Sequence, residues 1–129
     1  MYSTPTFLVL DDDAEMRFLH RRELEHEFPG CFVVECESTE EALTRSATVC
    51  LDIVLTDHCM RGEDGARFIA RLRERGIRCA VVMITGSPDP NVHAQAYAAG
   101  ASRVFFGTKQ GFAPLLRPML QEMAAATVA

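Results

Sequence analysis

The sequence has no tryptophan and two tyrosines, and aromatic residues fill only 8% of its 129 positions. It also has no C-x-x-C pair. Its five cysteines (Cys31, Cys36, Cys50, Cys59 and Cys79) are odd in number and scattered, which argues against a disulfide framework. The four histidines, His20, His26, His58 and His93, make no zinc-type spacing with them. The cysteines are therefore read as reduced thiols in a cytoplasmic protein, several of them small hydrophobes within apolar runs. Long hydrophobic stretches are missing too. The longest, such as Cys79–Thr85 and Leu51–Leu55, fall far short of a bilayer span, so no membrane association is expected. The opening MYSTPTFLVLDDD lacks a basic region and meets three acids early, unlike a secretory signal. Positive charge is the minority sign: 13 Lys and Arg face 18 Asp and Glu, a net −5. That balance, with a pI near 5.3, gives no reason to expect direct nucleic-acid binding.

What is present is apolar enough to pack. Hydrophobic residues make up 48% and mean hydropathy is +0.03, which suits a globule rather than a disordered segment. The length predicts a single domain over residues 1–129, with its core at about 6–124.

Short apolar runs alternate with helix-period segments. Thr6–Leu10, Cys31–Glu35, Leu51–Thr56, Cys79–Ile84 and Arg103–Phe106 read as strands. Between them, Ala14–Phe28 carries Met16, Leu19, Leu24 and Phe28 near helical spacing until Pro29-Gly30 stops it. Ser38-Thr39-Glu40-Glu41 has the form of a capping box, predicting a helix to about Ala47. Asp64–Arg75 places Ala66, Ile69 and Leu72 on one stripe before Gly76, and Pro90–Ala99 closes at Gly100. Phe112–Ala126 has helical composition but holds Pro114 and Pro118, so it should kink at Pro118 or start late.

Five such pairs, with strands apolar on both faces, predict an α/β fold: a doubly wound, five-stranded parallel sheet between helices, in strand order 2-1-3-4-5. This is a flavodoxin-like three-layer sandwich, and ligands on it bind at the carboxyl ends of the strands beside the switch between strands 1 and 3. At those ends stand Asp11-Asp12-Asp13, Asp57 and Thr85, with Lys109 after strand 5. Any one has an ordinary explanation in turn chemistry; together they converge on one edge. Crowded carboxylates repel unless a cation is near, and two or three of them suit a hard, partly hydrated ion, Mg²⁺ or alternatively Mn²⁺. An aspartate can accept a phosphoryl group, and a hydroxyl and an ammonium opposite can hold its oxygens. The pattern reads as a metal-assisted aspartyl-phosphate site.

Here the chain resembles a known family. FLVLDDDAEMR, DIVLTDHCMRGEDG, VVMITG and AAGASRVFFGTK, in order over Phe7–Met123, look like the receiver domain of two-component response regulators of the chemotaxis-regulator type. The resemblance implies that Asp57 accepts a phosphoryl group from a sensor histidine kinase or phosphotransfer protein. It implies Mg²⁺ held by Asp12, Asp57 and the backbone carbonyl of Cys59, with Asp11 acting through water. Thr85 and Lys109 would bind the phosphoryl oxygens, while Cys59 and Ser87 occupy positions that tune phosphorylation and hydrolysis rates. Asp13 has no implied role and reads as a helix cap. The output would be a protein-binding face of helix 4, strand 5 and helix 5, and the domain would be a phosphoacceptor rather than a turnover enzyme. NVHAQAYAAG and SRVFFG are poor in charge, so a salt-bridged dimer face is not expected there.

The chain departs from the family in three places. Arg61 stands where proline is usual, which should loosen the turn after Asp57. Gln110 follows Lys109 where proline is common, so no cis bond is expected there. The interval from Gly100 to Lys109 is about two residues longer than usual, implying a bulge in strand 5 or a displaced lysine. The switch aromatic position is then Val104 counted forward, or Phe106 counted back. Two other readings compete. One is a pseudo-receiver that works without phosphorylation. The other is a haloacid-dehalogenase-like phosphohydrolase; against it, Asp11-Asp12-Asp13-Ala14-Glu15 lacks the D-x-D-x-T/V form and no acidic pair follows Lys109.

Overall fold

The computed structural model describes residues 4–107 and 111–128. β1 (Thr6–Leu10), β2 (Phe32–Cys36), β3 (Ile53–Asp57), β4 (Ala80–Thr85) and β5 (Arg103–Phe106) alternate with α1 (Ala14–Glu27), α2 (Thr39–Thr48), α3 (Gly65–Glu74) and α4 (Pro90–Ala99). A 3₁₀ turn (Ala113–Leu116) and α5 (Arg117–Val128) follow. The five strands form one sheet in the order β2-β1-β3-β4-β5, all pairs parallel, as the alternation predicts.

Strand side chains alternate between two faces, and both faces are buried. Phe7, Val9, Ile53, Leu55, Val82 and Ile84 pack with Leu24 and Phe28 of the α1 segment and with Phe112, Leu116 and Leu120. Leu8, Leu10, Val54, Val81 and Met83 pack against Leu43 of α2, Phe68, Ile69 and Leu72 of α3, and Ala96 of α4. That double burial is why the strand sequences read as nearly unbroken apolar runs.

The local signals are mostly where the sequence places them. Asp13 caps α1, its Oδ1 accepting the Glu15 N–H at 2.9 Å, and Gly100 closes α4 at φ 116°, a left-handed conformation that favours glycine. Ser38 accepts the Glu41 N–H at 3.2 Å, but the Glu41 carboxylate reaches back to the N–H of Glu37, 3.0 Å, rather than to that of Ser38. Three strands start later than their apolar runs and take in one further residue at the end: Cys36, Asp57 and Thr85. Pairing sets the boundary, not composition. Asp52, inside the predicted third strand, instead accepts the Thr6 N–H on its carboxylate at 2.8 Å. The last helix starts late: the 3₁₀ turn precedes it and Pro118 falls in its first turn, where no backbone donor is missed.

Two expectations need correction. The turn after Asp57 is not loosened by Arg61. A short antiparallel ladder pairs Cys59 with Asp64 and Met60 with Glu63, closing the turn, and Gly62 takes φ 83°. Strand 5 has no bulge either. Val82↔Arg103 through Thr85↔Phe106 run in unbroken register, and the Gly107 N–H reaches the Thr85 carbonyl at 3.1 Å.

Candidate functional site

β1 and β3 are neighbours with Leu10 opposite Thr56, so Asp11 and Asp57 occupy equivalent steps at adjacent strand ends. Asp11 is 3% exposed. Its Oδ1 accepts the Asp13 N–H at 2.9 Å and its carbonyl takes Arg17 Nη1 at 2.6 Å. Burial pushes its carboxyl up to about 6; the Asp13 hydrogen bond opposes this, and the charges of Asp57, Asp12 and Asp13 add to it. Burial and, to a lesser degree, the neighbouring carboxylates thus make Asp11 costly to ionise.

Asp12 is half-buried, and its Oδ2 accepts the backbone N–H of Arg61 at 2.8 Å. The Arg61 guanidinium Nε lies 3.7 Å from the same oxygen. On one flank of Asp12 a cleft of about 320 Å³ is lined by Glu37, Ser38, Thr39, Met60 and Arg61. Asp57 Oδ1 accepts the His58 N–H at 2.8 Å, which orients the carboxylate, and Thr56 Oγ1 donates to the Asp57 carbonyl at 3.0 Å. Gly65, the first residue of α3, donates its N–H to the His58 carbonyl at 2.8 Å, tying the end of β3 to the helix.

Across the edge, Thr85 is fully buried and its Oγ1 accepts the Ser87 N–H at 3.0 Å. His93 Nε2 sits 2.9 Å from the Ser87 carbonyl; a carbonyl only accepts, so that nitrogen carries the proton. The His93 ring is 6.0 Å from that of Phe106, which is 49% exposed and pairs with Thr85. Val104 is one ladder pair removed, opposite Met83; it is half-buried and its N–H donates to the Tyr97 hydroxyl at 3.1 Å. The two candidate switch positions are thus distinct: Phe106 adjoins the Thr85 loop, and Val104 is tied to α4. Lys109 and the bond to Gln110 lie outside the described residues.

Asp11, Asp12, Asp57 and Thr85 therefore gather at the predicted edge, and Cys59 lies in the short ladder with an exposed side chain. Sequence reasoning missed Gly65 and the Arg61–Asp12 contact. Among the described residues no three His, Cys, Asp or Glu side chains are arranged to hold a metal ion by themselves. Mg²⁺ needs only one or two carboxylates and keeps water for the rest. Asp12 and Asp57, at neighbouring strand ends beside the buried carboxyl of Asp11, fit that demand.

A doubly wound sheet with carboxylates at its β1/β3 switch point defines a class of α/β domains that bind at that edge. Comparison narrows the class: the response regulator receiver domain matches residues 7–110, and the chain belongs to that family. Over 93 residues it is 31% identical to the transcriptional regulatory protein ResD of Bacillus subtilis, covering 72% of this chain and 38% of ResD. It is 29% identical to the DNA-binding transcriptional regulator NtrC of Klebsiella pneumoniae, covering 72% of this chain and 19% of NtrC. The chain thus spans well under half the length of either relative. Its fold resembles the receiver domain of Francisella response regulator 1452, with TM-score 0.83 and 18% identity over 93% of this chain and 99% of that one. It also resembles a CheY-like receiver from Methanospirillum hungatei, with TM-score 0.80 and 19% identity over 95% and 96%. The chain is a two-component receiver domain, a signal-transduction module whose family works between histidine kinases and downstream effectors. No helix among the described residues is long and apolar enough to cross a membrane.

Proposed function

We propose that this receiver accepts a phosphoryl group on Asp57 in a Mg²⁺-dependent reaction and thereby switches a protein-binding face. The single observation that carries the reading is the gathering of Asp11, Asp12, Asp57 and buried Thr85 at one sheet edge, with Asp57 Oδ1 fixed by the His58 N–H. That bond leaves Oδ2 to attack. An oxygen–phosphorus bond forms as the donor's phosphorus–nitrogen bond breaks, and the leaving imidazole takes a proton from solvent. Asp12, Asp57 and the Cys59 carbonyl would hold the cation, with Asp11 behind a water. Bound there, it would supply positive charge to offset that of the carboxylates and of the incoming phosphoryl group. Mn²⁺ would serve in its place.

Thr85 gives up its bond to Ser87 to donate to a phosphoryl oxygen, and Lys109 pairs with the same group. The Ser87 carbonyl holds His93, and His93 borders Phe106, so movement at Thr85 reaches the face of α4, β5 and α5. Phe106 is the switch aromatic on this reading, with Val104 a framework position, and Cys59 and Ser87 set the rates. The partners are a histidine kinase or phosphotransfer protein on one side and a protein target on the other. The receiver itself, at net −5, makes no direct nucleic-acid contact and turns over no external substrate.

Intact mass after incubation with Mg²⁺ and acetyl phosphate tests this. One added phosphoryl group, lost on chelation and in Asp57→Asn, is the expected result. A second reading, a receiver that signals without phosphorylation, is favoured by the Arg61 contact on Asp12. No addition from either acetyl phosphate or a histidine kinase would select it.

A further inference from the structure

We propose that Arg61 sets the affinity of the acidic edge for its divalent cation by occupying Asp12. The inference rests on the cation-assisted reading above.

Three features carry it. Arg61 and Gly62 form the two-residue loop of the short ladder, joining Met60 to Glu63, with Gly62 at φ 83° and no non-glycine residue at positive φ among the described residues. This is the pattern of a type II turn, whose first central position favours proline. Met60, lying in the ladder, is extended, as a residue before proline must be. The backbone would thus accept a proline at Arg61. What proline could not supply is the N–H that Asp12 Oδ2 accepts at 2.8 Å.

The side chain repeats the contact. Nε is 3.7 Å from Oδ2 while the Arg61 side chain is 92% exposed, so the charge is placed without being buried. Finally, the other nearby acid does not divert it. Glu63 is engaged by Arg67 at 3.2 Å and by Arg71 at 3.0 Å, which leaves Asp12 as the acid that Arg61 meets.

A cation arriving at Asp12 therefore meets a resident positive charge and a carboxylate already committed to a main-chain donor. Both weaken its binding. The guanidinium contribution is that of an exposed ion pair, small and screened by salt.

The test is Mg²⁺ binding measured by titration calorimetry on wild type, Arg61→Ala and Arg61→Pro, at low and high salt, with circular dichroism confirming that all three are folded. Arg61→Ala keeps the N–H and loses the charge; its Kd should tighten about 2- to 5-fold at low salt, with the gain shrinking at high salt. Arg61→Pro loses both and should bind at least as tightly as Arg61→Ala. Equal affinity in all three, or weaker binding by the variants, overturns the role of Arg61 and leaves the cation site standing. No binding by any of the three overturns the cation site and this inference with it.

Discussion

Gly65 lies so close to the backbone of Asp57 that a β-carbon on it would collide with the Asp57 carbonyl oxygen and crowd the Met83 methyl group. The glycine is needed for space, since its φ is not among the positive ones. Through it, α3 begins directly against the end of β3, and the N–H of Gly65 holds the His58 carbonyl. Gly65→Ala should displace the Asp57 backbone, because backbone atoms cannot yield as a flexible side chain does. We expect a loss of about 1–3 kcal/mol in urea denaturation, typical of overpacking, with phosphorylation slowed as well. An unchanged melt would show that the helix shifts freely.

The Asp11 carboxyl makes a pH prediction. Its ordinary value is 3.8 and burial pushes it up to about 6 in the folded chain. The native state therefore holds a proton that the unfolded state releases between those values. Its contribution to stability is full below about 3.8 and is lost as pH rises through about 6. At neutral pH the buried charge costs on the order of 2–3 kcal/mol without a cation. Asn at this position keeps an oxygen for the Asp13 N–H. Metal-free Asp11→Asn should melt above wild type at pH 7.5, and the gap should close below pH 4. A gap independent of pH would contradict the assignment.

Thr85 contributes through one acceptor. Thr85→Val preserves shape but leaves the Ser87 N–H without the oxygen it meets at 3.0 Å. The expected cost is about 1 kcal/mol, with faster hydrogen exchange confined to residues 87–93. In this variant, phosphorylation should no longer change protection around Phe106.

Glu23 was not legible as a functional or structural residue, yet its two carboxylate oxygens take the N–H groups of Gly111 and Ala113 at 2.8 and 2.7 Å. They anchor the chain entering the 3₁₀ turn to α1. Glu23→Ala should cost about 2 kcal/mol because two main-chain donors lose a charged acceptor. Glu23→Gln, with one acceptor oxygen, should cost about half as much. Equal stability of all three in urea would show that water replaces the carboxylate fully.

The parts that could be read ahead were those set by local pattern. Apolar runs of strand length, the caps at Asp13 and Ser38, and Gly100 set the element order, and the crossover rule turned that order into a sheet. Asp11, Asp12, Asp57 and Thr85 could be placed at one edge because each ends a strand. The contacts that finish the site are tertiary. Arg61 meets Asp12 across 49 residues, and Glu23 reaches 88 and 90 residues ahead. No periodicity links such pairs. The closed ladder at 59–64 was hidden by the same limit: its strands are two residues long, too short for alternation to register.

The central claim, that Asp57 is the phosphoacceptor, is met most directly by mapping the modified residue. The protein would be treated with Mg²⁺ and acetyl phosphate or a histidine kinase, and any acyl phosphate reduced with borohydride before peptide mass analysis. Homoserine at position 57 alone is expected, and none when the metal is chelated. A phosphoryl group found on another residue, or Asp57 unmodified with both donors, would contradict it.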